Sequence, residues 1–383
     1  MTIYLDNAAT SFPKPPQVAA RMTEYLTQVG ATINRSVYPA AQKAELVTWR
    51  LRQRLCRLLG YGGKPTHAIL TGGCTMALNL LLRGLLKPGD HCLVSSMEHN
   101  AVMRPLHDLQ ASFDRIPCDR EGRLQVDAIE PLLRPNTRLV LIAHGSNVSG
   151  TVQDAAAVGA ICKKRGIYFA LDAAQTAGHI PVDFDGFGCD ALAVPAHKGL
   201  LGPSGIGALL LSPKLAEELH PLMTGGTGSA SHEEVQPAFL PDKFEPGTPN
   251  LPGIYGWEAA LAYLEDYTVE RVQRHDQRLT AYFLQGLRQI PGVRLIGPET
   301  GRVGVVSVDF PGKDNAVISD RLAADCGILT RCGLHCAPSA HQTLGTWPQG
   351  TVRFSFGLQT TREELDMTLY AIQKLAQTEQ DVI

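Results

Sequence analysis

Two apolar runs, Arg138-Leu-Val-Leu-Ile-Ala143 and Ile167-Tyr-Phe-Ala-Leu171, decide the fold of this chain. Neither run alternates apolar with polar residues, which is typical of strands that are buried on both faces. Similar short runs recur between residues 65 and 210, and helical patterns such as residues 74–86 separate them. The sequence therefore predicts an α/β fold with a mostly parallel sheet that helices cover on both sides. Functional side chains are then expected at the carboxyl ends of the strands.

The chain has 383 residues, which is long enough for two domains. We expect an N-terminal arm at residues 1–15 that joins the small domain, a large domain at 16–255 and a smaller α+β domain at 256–383. The turn-rich segment Pro246–Gly253 precedes a long helical stretch from about Ile254 to Ile290.

Composition and charge narrow the class of protein. Hydrophobic residues make up 44% of the chain and charged residues 19%, as in ordinary soluble globular proteins. A net charge of −2 gives no electrostatic reason to expect nucleic acid as a partner. No apolar run reaches the length of about 18 residues that a membrane span needs. No signal peptide is visible, and nine scattered cysteines resemble reduced thiols, so we expect a cytoplasmic protein.

Lys198 ends the segment Ala191-Leu-Ala-Val-Pro-Ala-His-Lys198, and a glycine-rich stretch follows it at once. A lysine beside apolar residues is unfavourable unless its amine is used, and a Schiff base to pyridoxal phosphate would use it. Asp172, at the end of a predicted strand, could keep the ring nitrogen of that cofactor protonated. The alternatives are a surface lysine just past a strand and an aspartate that caps a helix.

The segment Thr71-Gly-Gly-Cys-Thr75 lies between a predicted strand and a predicted helix. Its glycines would let the backbone approach a phosphate, although an ordinary turn is the more common meaning of such a pair. His99 could stack on a flat cofactor ring, and Arg353 could form a two-pronged contact with a substrate carboxylate. Taken singly, each of these residues is more often structural, so the prediction depends on their combination.

A second group of reactive residues lies in Arg331-Cys-Gly-Leu-His-Cys336. An exposed Cys336 near Arg331 and His335 would be activated as a nucleophile. One alternative is a zinc site with the ligands Cys332, His335, Cys336 and His341. No second pair at metal-binding spacing supports that site. A redox pair of Cys332 with Cys336, or buried and inert cysteines, are the other interpretations.

Together these residues resemble the class V aminotransferase-like pyridoxal phosphate enzymes of fold type I, most closely the cysteine desulfurase and selenocysteine lyase family. The matching segments span almost the whole chain: Tyr4-Leu-Asp-Asn-Ala-Ala9, Glu98-His-Asn-Ala101, Ser146-Asn-Val-Ser-Gly-Thr151, Asp172-Ala-Ala-Gln175, His197-Lys198, Gly247-Thr-Pro-Asn250, Arg331 to Cys336, and Arg353. The short setting of Cys336 resembles the group II (SufS-like) branch. Tyr38, Pro195 and Cys74 replace the histidine, serine and threonine that are usual in the family, which suggests a divergent paralogue.

The resemblance implies a role for each candidate residue. Lys198 would bind the cofactor and move a proton at the substrate Cα, and Cys336 would receive the sulfur as a persulfide. Asp172 would pair with the ring nitrogen, and His99 would stack on the ring. The other cofactor contacts would come from Cys74, Thr75, Gln175, His197 and, at the phosphate of the neighbouring subunit, Thr248. The substrate contacts would come from Asn147, Arg353, Tyr38, Arg331 and His335.

The implied activity is that of a pyridoxal phosphate-dependent cysteine desulfurase, which converts L-cysteine to L-alanine. The resemblance also implies a homodimer with active sites at the subunit interface and a sulfur-acceptor protein as a partner. A selenocysteine lyase, or another cysteine or cystine β-lyase on the same fold, is the alternative function. A non-enzymatic zinc- or thiol-binding protein is a remote alternative. No resident metal and no nucleic acid or membrane partner is expected.

Overall fold

The computed structural model describes residues 2–34 and 37–377 of the chain. In chain order its strands are β1 (Ile3–Tyr4), β2 (Ala68–Thr71), β3 (His91–Ser95), β4 (Ser112–Ile116), β5 (Thr137–Ala143), β6 (Tyr168–Asp172), β7 (Ala191–Pro195), β8 (Gly207–Leu211), β9 (Arg294–Ile296), β10 (Val305–Asp309), β11 (Ile328–Leu329), β12 (Arg331–Gly333) and β13 (Thr351–Ser355). Its α-helices are α1 (Pro16–Glu24), α2 (Pro39–Leu58), α3 (Cys74–Leu85), α4 (Asn100–Asp108), α5 (Ile129–Leu132), α6 (Ala155–Arg165), α7 (Pro213–Glu218), α8 (Leu251–Tyr267), α9 (Val269–Leu287), α10 (Asn315–Cys326), α11 (Pro338–Leu344) and α12 (Arg362–Gln377). Residues 1 and 378–383, at the ends of the expected domains, lie outside the described residues.

The large sheet has the strand order β2-β8-β7-β6-β5-β3-β4. Its strands are parallel except for β8, which is antiparallel to both of its neighbours. Alternate residues of a strand point to opposite faces, and in β5 Val140 and Ile142 enter one core while Leu139 and Leu141 enter another. Two buried faces explain why the run is apolar throughout. The predicted α/β fold with a mostly parallel sheet is therefore confirmed.

Three strands of this sheet end beside predicted functional residues. β3 ends at Ser95, shortly before His99, and β6 ends at Asp172 itself. β7 ends at Pro195, shortly before Lys198. Because parallel strands bring their carboxyl ends to one edge of a sheet, these side chains gather there.

The helical stretch expected from about Ile254 to Ile290 consists of two consecutive helices, α8 and α9. Thr268 separates them with a φ of 71°, and its hydroxyl caps α9 by accepting a hydrogen bond from the N–H of Arg271 at 3.4 Å. Helix α8 packs against α1 and α2 beside the large sheet. The domain boundary expected between residues 255 and 256 falls inside α8.

A second, antiparallel sheet with the order β12-β13-β10-β9 forms the small C-terminal unit. Its core contains apolar side chains of α9, α10 and α12, including Phe283, Ile318 and Ile372. Strand β1 pairs in parallel with β11, and Ile3 and Leu5 enter the same core. The start of the chain is thus attached to the small unit, from which residues 6–14 continue towards the large sheet. Within the described ranges, no helix is long and apolar enough to cross a membrane.

Candidate active site

A cavity of about 830 Å³ lies where the carboxyl ends of β5, β6 and β7 meet residues 331–336 of the small unit. Its volume is that of a small-molecule site. The predicted site residues that line it are Cys74, Thr75, His99, Asn147, Asp172, Gln175, His197, Lys198, Arg331, His335, Cys336 and Arg353. The fold therefore brings together residues that are far apart in the sequence.

Two predicted site residues are not in the wall of this cavity. Tyr38 is the N-cap residue of α2, and 49% of its surface is exposed. Thr248 lines a smaller cavity of about 180 Å³, which shares Gly72 and Gly205 with the wall of the main cavity. Thr248 was expected to contact the phosphate bound to a neighbouring subunit. A single chain does not test that contact, so it stays a prediction.

Lys198 and Asp172 face the same cavity, and their charges interact. Burial lowers the pKa of Lys198 below the usual value of a lysine, while the Asp172 carboxylate opposes this shift. Asp172 accepts a hydrogen bond from the N–H of Ala174 at 2.9 Å, and Cys74 Sγ donates to its Oδ1 at 3.5 Å. Burial raises the pKa of Cys74 well above its usual value, so this sulfur keeps the proton that it donates. The site thus combines an amine whose pKa is lowered with a carboxylate that hydrogen bonds hold in place.

The first turn of α3 forms the side of the cavity that suits an anion. No side chain caps this helix, so its first N–H groups and its dipole favour negative charge. Gly73, just before it, has a φ of 144°, and a Cβ placed there would meet no atom within 4 Å. Nδ1 of His197, also in the cavity wall, is buried with no hydrogen-bond partner among the described residues. Burial lowers the pKa of His197 to about 4, so the ring is neutral and can donate a hydrogen bond.

His99 is held by the start of α4. Its Nδ1 accepts a hydrogen bond from the N–H of Ala101 at 3.0 Å, which places the proton of the neutral ring on Nε2. Burial lowers the pKa of His99, so the ring is uncharged at neutral pH. A flat, neutral ring in the cavity wall suits the stacking role that was predicted for it.

Glu98, directly before His99, is a buried carboxyl group to which no role was assigned from the sequence. It accepts hydrogen bonds from the Ser95 hydroxyl and, at 2.9 Å, from the N–H of Ala143. Its Oε2 has no partner in the described part of the chain. Burial raises the pKa of Glu98 to about 8, so the group is mostly protonated at neutral pH. Its hydrogen bonds join the ends of β3 and β5.

Arg353 lies on β13 and is almost fully buried. Its Nη2 donates to Asp6 Oδ1 at 2.7 Å, and its Nη1 donates to the carbonyl oxygen of Asn147 at 3.1 Å. Its Nε has no partner among the described residues. Burial lowers the pKa of Arg353 and the Asp6 carboxylate opposes that shift, so Asp6 helps to keep the guanidinium charged. Asp6 belongs to a segment that matched the family, yet its role became visible only in the structure.

Two amide side chains make contacts that differ from the expected ones. Asn147 was expected to hold a substrate carboxylate, but its Nδ2 donates to the carbonyl oxygen of His335 at 2.6 Å. Gln175 was expected to contact the cofactor ring, and its Nε2 donates to the carbonyl oxygen of Ala8 at 3.1 Å. Among the described residues each amide donates through only one of its two N–H groups, so the second remains available. Both residues therefore tie together the segments that surround the cavity.

Cys336 is exposed at the cavity and is held by its backbone. His335 and Cys336 have φ angles of 49° and 57°, a left-handed conformation that is unfavourable for residues with a side chain. The carbonyl oxygen of Cys336 accepts a hydrogen bond from the N–H of Asn100 at 2.7 Å, in addition to the Asn147 contact one residue earlier. Burial holds the pKa of His335 well below its usual value, so His335 is an uncharged neighbour of Cys336.

The cavity fits pyridoxal phosphate, the cofactor that the sequence predicts. Lys198 offers an amine, Asp172 a carboxylate, His99 a flat ring, and the open α3 terminus with the unpaired His197 a place for a phosphate. Across residues 2–34 and 37–377, no cluster of three or more histidine, cysteine or acidic side chains could hold a metal ion. The zinc ligands considered above do not form such a cluster.

Comparison with known proteins agrees with this fit. The aminotransferase class-V family matches residues 3–368. The chain is 31% identical over 382 residues to a probable cysteine desulfurase of Methanothermobacter thermautotrophicus, an alignment that covers 98% of this chain and 94% of that protein. It is also 31% identical to a cysteine desulfurase of Haloferax volcanii, with 97% of this chain and 88% of that protein covered.

Solved structures show the same similarity. A cysteine desulfurase from Thermococcus onnurineus NA1 matches with a TM-score of 0.89 at 31% identity, and the match covers 98% of this chain and 94% of that chain. The cysteine desulfurase CsdA from Escherichia coli matches with a TM-score of 0.86 at 28% identity, covering 97% and 94%.

Proposed function

The chain belongs to the aminotransferase class-V family, and we propose that it converts L-cysteine to L-alanine while the sulfur passes to Cys336 as a persulfide. It is a pyridoxal phosphate-dependent cysteine desulfurase, as its relatives are. The observation that carries the assignment of Cys336 is the position of its exposed thiol in the wall of the cavity that Lys198 and Asp172 also line.

Lys198, Asp172, His99, His197 and the start of α3 are the groups that would hold the cofactor. Once bound, pyridoxal phosphate supplies an electron sink next to the substrate Cα. Lys198 would attach it covalently, and Asp172 would keep its ring nitrogen charged. His99 would cover one face of the ring and exclude water from it. The phosphate would lie at the uncapped N–H groups of α3, with the neutral His197 as a further donor.

Arg353 would bind the substrate carboxylate through donors that remain free. Its Nε has no partner in the described ranges, while Asp6 and the carbonyl of Asn147 fix the guanidinium plane. With the carboxylate fixed, the substrate Cα is presented to Lys198. The lowered pKa of Lys198 favours the uncharged amine, the form that can take the Cα proton and later return a proton to the product.

Cys336 would then act on the substrate sulfur. Its Sγ forms a bond to that sulfur while the bond between the sulfur and the substrate Cβ breaks. Cysteine and the Cys336 thiol thus become alanine and a Cys336 persulfide, and all atoms are accounted for. The backbone hydrogen bonds from Asn100 and the Asn147 side chain keep the thiol at the cavity during this step.

The test compares Cys336→Ala with the matched variant Cys332→Ala, which removes a partly buried thiol four residues away. Alanine release from L-cysteine should be lost in the first variant and retained in the second. Mass spectrometry after turnover should place the added sulfur on Cys336. Full cysteine activity in Cys336→Ala would contradict the persulfide role. Activity that survives in this variant only with L-selenocysteine would favour a selenocysteine lyase instead.

A homodimer, a sulfur-acceptor protein and a cytoplasmic location belong to the same proposal. Support for the dimer comes from the cavity of Thr248, which adjoins the main cavity and is also lined by Met223, half exposed in the single chain. A partner subunit that covers Met223 would bring further residues to the main site. Light scattering of the purified protein tests this directly, because a monomer that retains full activity would exclude a shared site.

A further inference from the structure

The carbonyl oxygen of His197 receives an unusual number of hydrogen bonds from the start of the chain. The N–H and the hydroxyl of Ser11 donate to it at 2.9 and 3.1 Å, and the hydroxyl of Thr10 donates at 3.1 Å. Lys14 Nζ donates at 2.7 Å. A carbonyl oxygen has only two lone pairs, yet four donor groups lie within 3.1 Å of this one. This oxygen belongs to the peptide bond that immediately precedes Lys198.

Lys14 is an unusual donor because it is a partly buried cation without a counter-ion. Within residues 2–34 and 37–377, Lys14 Nζ bonds only to oxygen atoms of His197 and of Ser11, the latter at 2.7 Å, and forms no ion pair. Burial lowers the pKa of Lys14 to about 8, so the group still carries its charge at neutral pH. Removing an ammonium group from water without a carboxylate partner is unfavourable. An apolar side chain of the same length would fill this place without that penalty.

We propose that Lys14 is a positioning residue for Lys198, acting through the peptide bond between His197 and Lys198. This inference rests on the proposed role of Lys198 as the lysine that holds the cofactor. A charge-assisted hydrogen bond fixes the orientation of that peptide more firmly than a neutral one. On the other side of Lys198, its own carbonyl oxygen accepts a hydrogen bond from the N–H of Leu201 at 2.8 Å. The backbone of Lys198 is therefore fixed at both ends, and its side chain starts from a defined position.

The arm that carries Lys14 is attached independently of this lysine. Strand β1 pairs with β11, and the N–H of Ala8 donates to Ser355 Oγ at 2.8 Å. The side chain of Asn7 also donates to the carbonyl oxygen of Ser355 at 3.1 Å. A substitution at Lys14 should therefore leave the arm bound, so its effect can be separated from loss of the fold.

The experiment compares the cofactor-loaded Lys14→Met variant with the wild type and with Lys87→Met, which changes an exposed lysine in the same way. The first measurement is visible-region circular dichroism of the bound cofactor. The second is the rate at which hydroxylamine releases it. Neither measurement requires cysteine, so they remain informative if the proposed reaction is wrong. Lys14→Met should alter the dichroism band and release the cofactor several-fold faster, whereas Lys87→Met should match the wild type.

Steady-state kinetics supply a third measurement. In Lys14→Met we expect kcat with L-cysteine to fall about tenfold because the amine of Lys198 is misplaced, while KM changes less than twofold because Arg353 and Asp6 are untouched. If Lys14→Met does not fold, Ser11→Ala serves as the second variant. It removes the hydrogen bond from the Ser11 hydroxyl to the His197 carbonyl and the one from Lys14 Nζ to that hydroxyl. It should change the dichroism band and the rate of cofactor release in the same direction as Lys14→Met. Dichroism, release rate and kcat equal to those of Lys87→Met would overturn the proposal. A chromophore retained in Lys198→Ala would instead refute the assignment of Lys198.

Discussion

Replacing Asp6 by asparagine removes the negative charge that faces the guanidinium of Arg353. Arg353 Nη2 and Asp6 Oδ1 are 2.7 Å apart. Only 3% of the Arg353 side chain and 19% of the Asp6 side chain are exposed, so water cannot replace the lost charge effectively. A hydrogen bond that involves a charged group contributes about 1.5–3 kcal/mol. Because a tenfold change corresponds to about 1.4 kcal/mol, we expect kcat/KM for L-cysteine to fall roughly 10- to 100-fold. Most of this loss should appear in KM, since Arg353 is proposed to bind the substrate carboxylate.

The assay is alanine formation over a range of L-cysteine concentrations, together with the absorbance spectrum of the bound cofactor. The spectrum of Asp6→Asn should remain that of the wild type, because Asp6 does not line the cofactor side of the cavity. Asp325→Asn is the matched control: it breaks an exposed Arg321–Asp325 pair at 3.2 Å and should change kcat/KM by less than twofold. An unchanged KM in Asp6→Asn with a normal spectrum would refute the reasoning, because Arg353 would then not depend on Asp6.

Two further predictions concern stability. The pKa of Glu98 is raised to about 8 in the folded chain, so between about pH 4 and pH 8 the folded state keeps a proton that the unfolded state has lost. The contribution of Glu98 to the free energy of unfolding is therefore complete below about pH 4 and is lost as the pH rises towards 8. Urea unfolding should therefore show that the free energy of unfolding of the wild type, relative to that of Glu98→Gln, falls by about 2–5 kcal/mol between pH 5 and pH 8. If the difference between the two proteins is the same at both pH values, Glu98 ionises normally. Cys336 has a φ of 57°, so Cys336→Gly should be more stable than Cys336→Ala by about 1 kcal/mol. Equal unfolding midpoints for these two variants would argue against a left-handed backbone at this position.

The order of strands and helices around the site could be predicted from the sequence. In β5 and β6 the apolar runs are long and uninterrupted, and in α3 four leucines recur at helical spacing. The join between α8 and α9 could not be predicted in this way. The residues on both sides of the join are compatible with a helix, and only the positive φ of Thr268 separates α8 from α9. A threonine rarely adopts that conformation, so the sequence contains no turn signal at this point.

The candidate reactive residues could be selected from the sequence because their types are unusual where they occur. A lysine after an apolar run and an aspartate at a strand end attract attention in the sequence, and the structure places Lys198 and Asp172 in one cavity. The protonation state of His335 could not be predicted, because its neutrality results from burial within the folded small unit and from the nearby charge of Arg353. The same limit applies to Glu98, whose protonation depends on its burial where β3 and β5 end.

By itself, the sequence determined the α/β fold, the family resemblance and the identity of Lys198, Asp172 and Cys336 as candidate reactive groups. These follow from local patterns, which depend on neighbours along the chain. Only the tertiary structure decided which groups hold them in place. Asp6 lies 347 residues from Arg353, and Lys14 lies 183 residues from His197. Contacts of this kind form only when the start of the chain folds back against both the small unit and the large domain, and local sequence patterns do not encode such long-range approach.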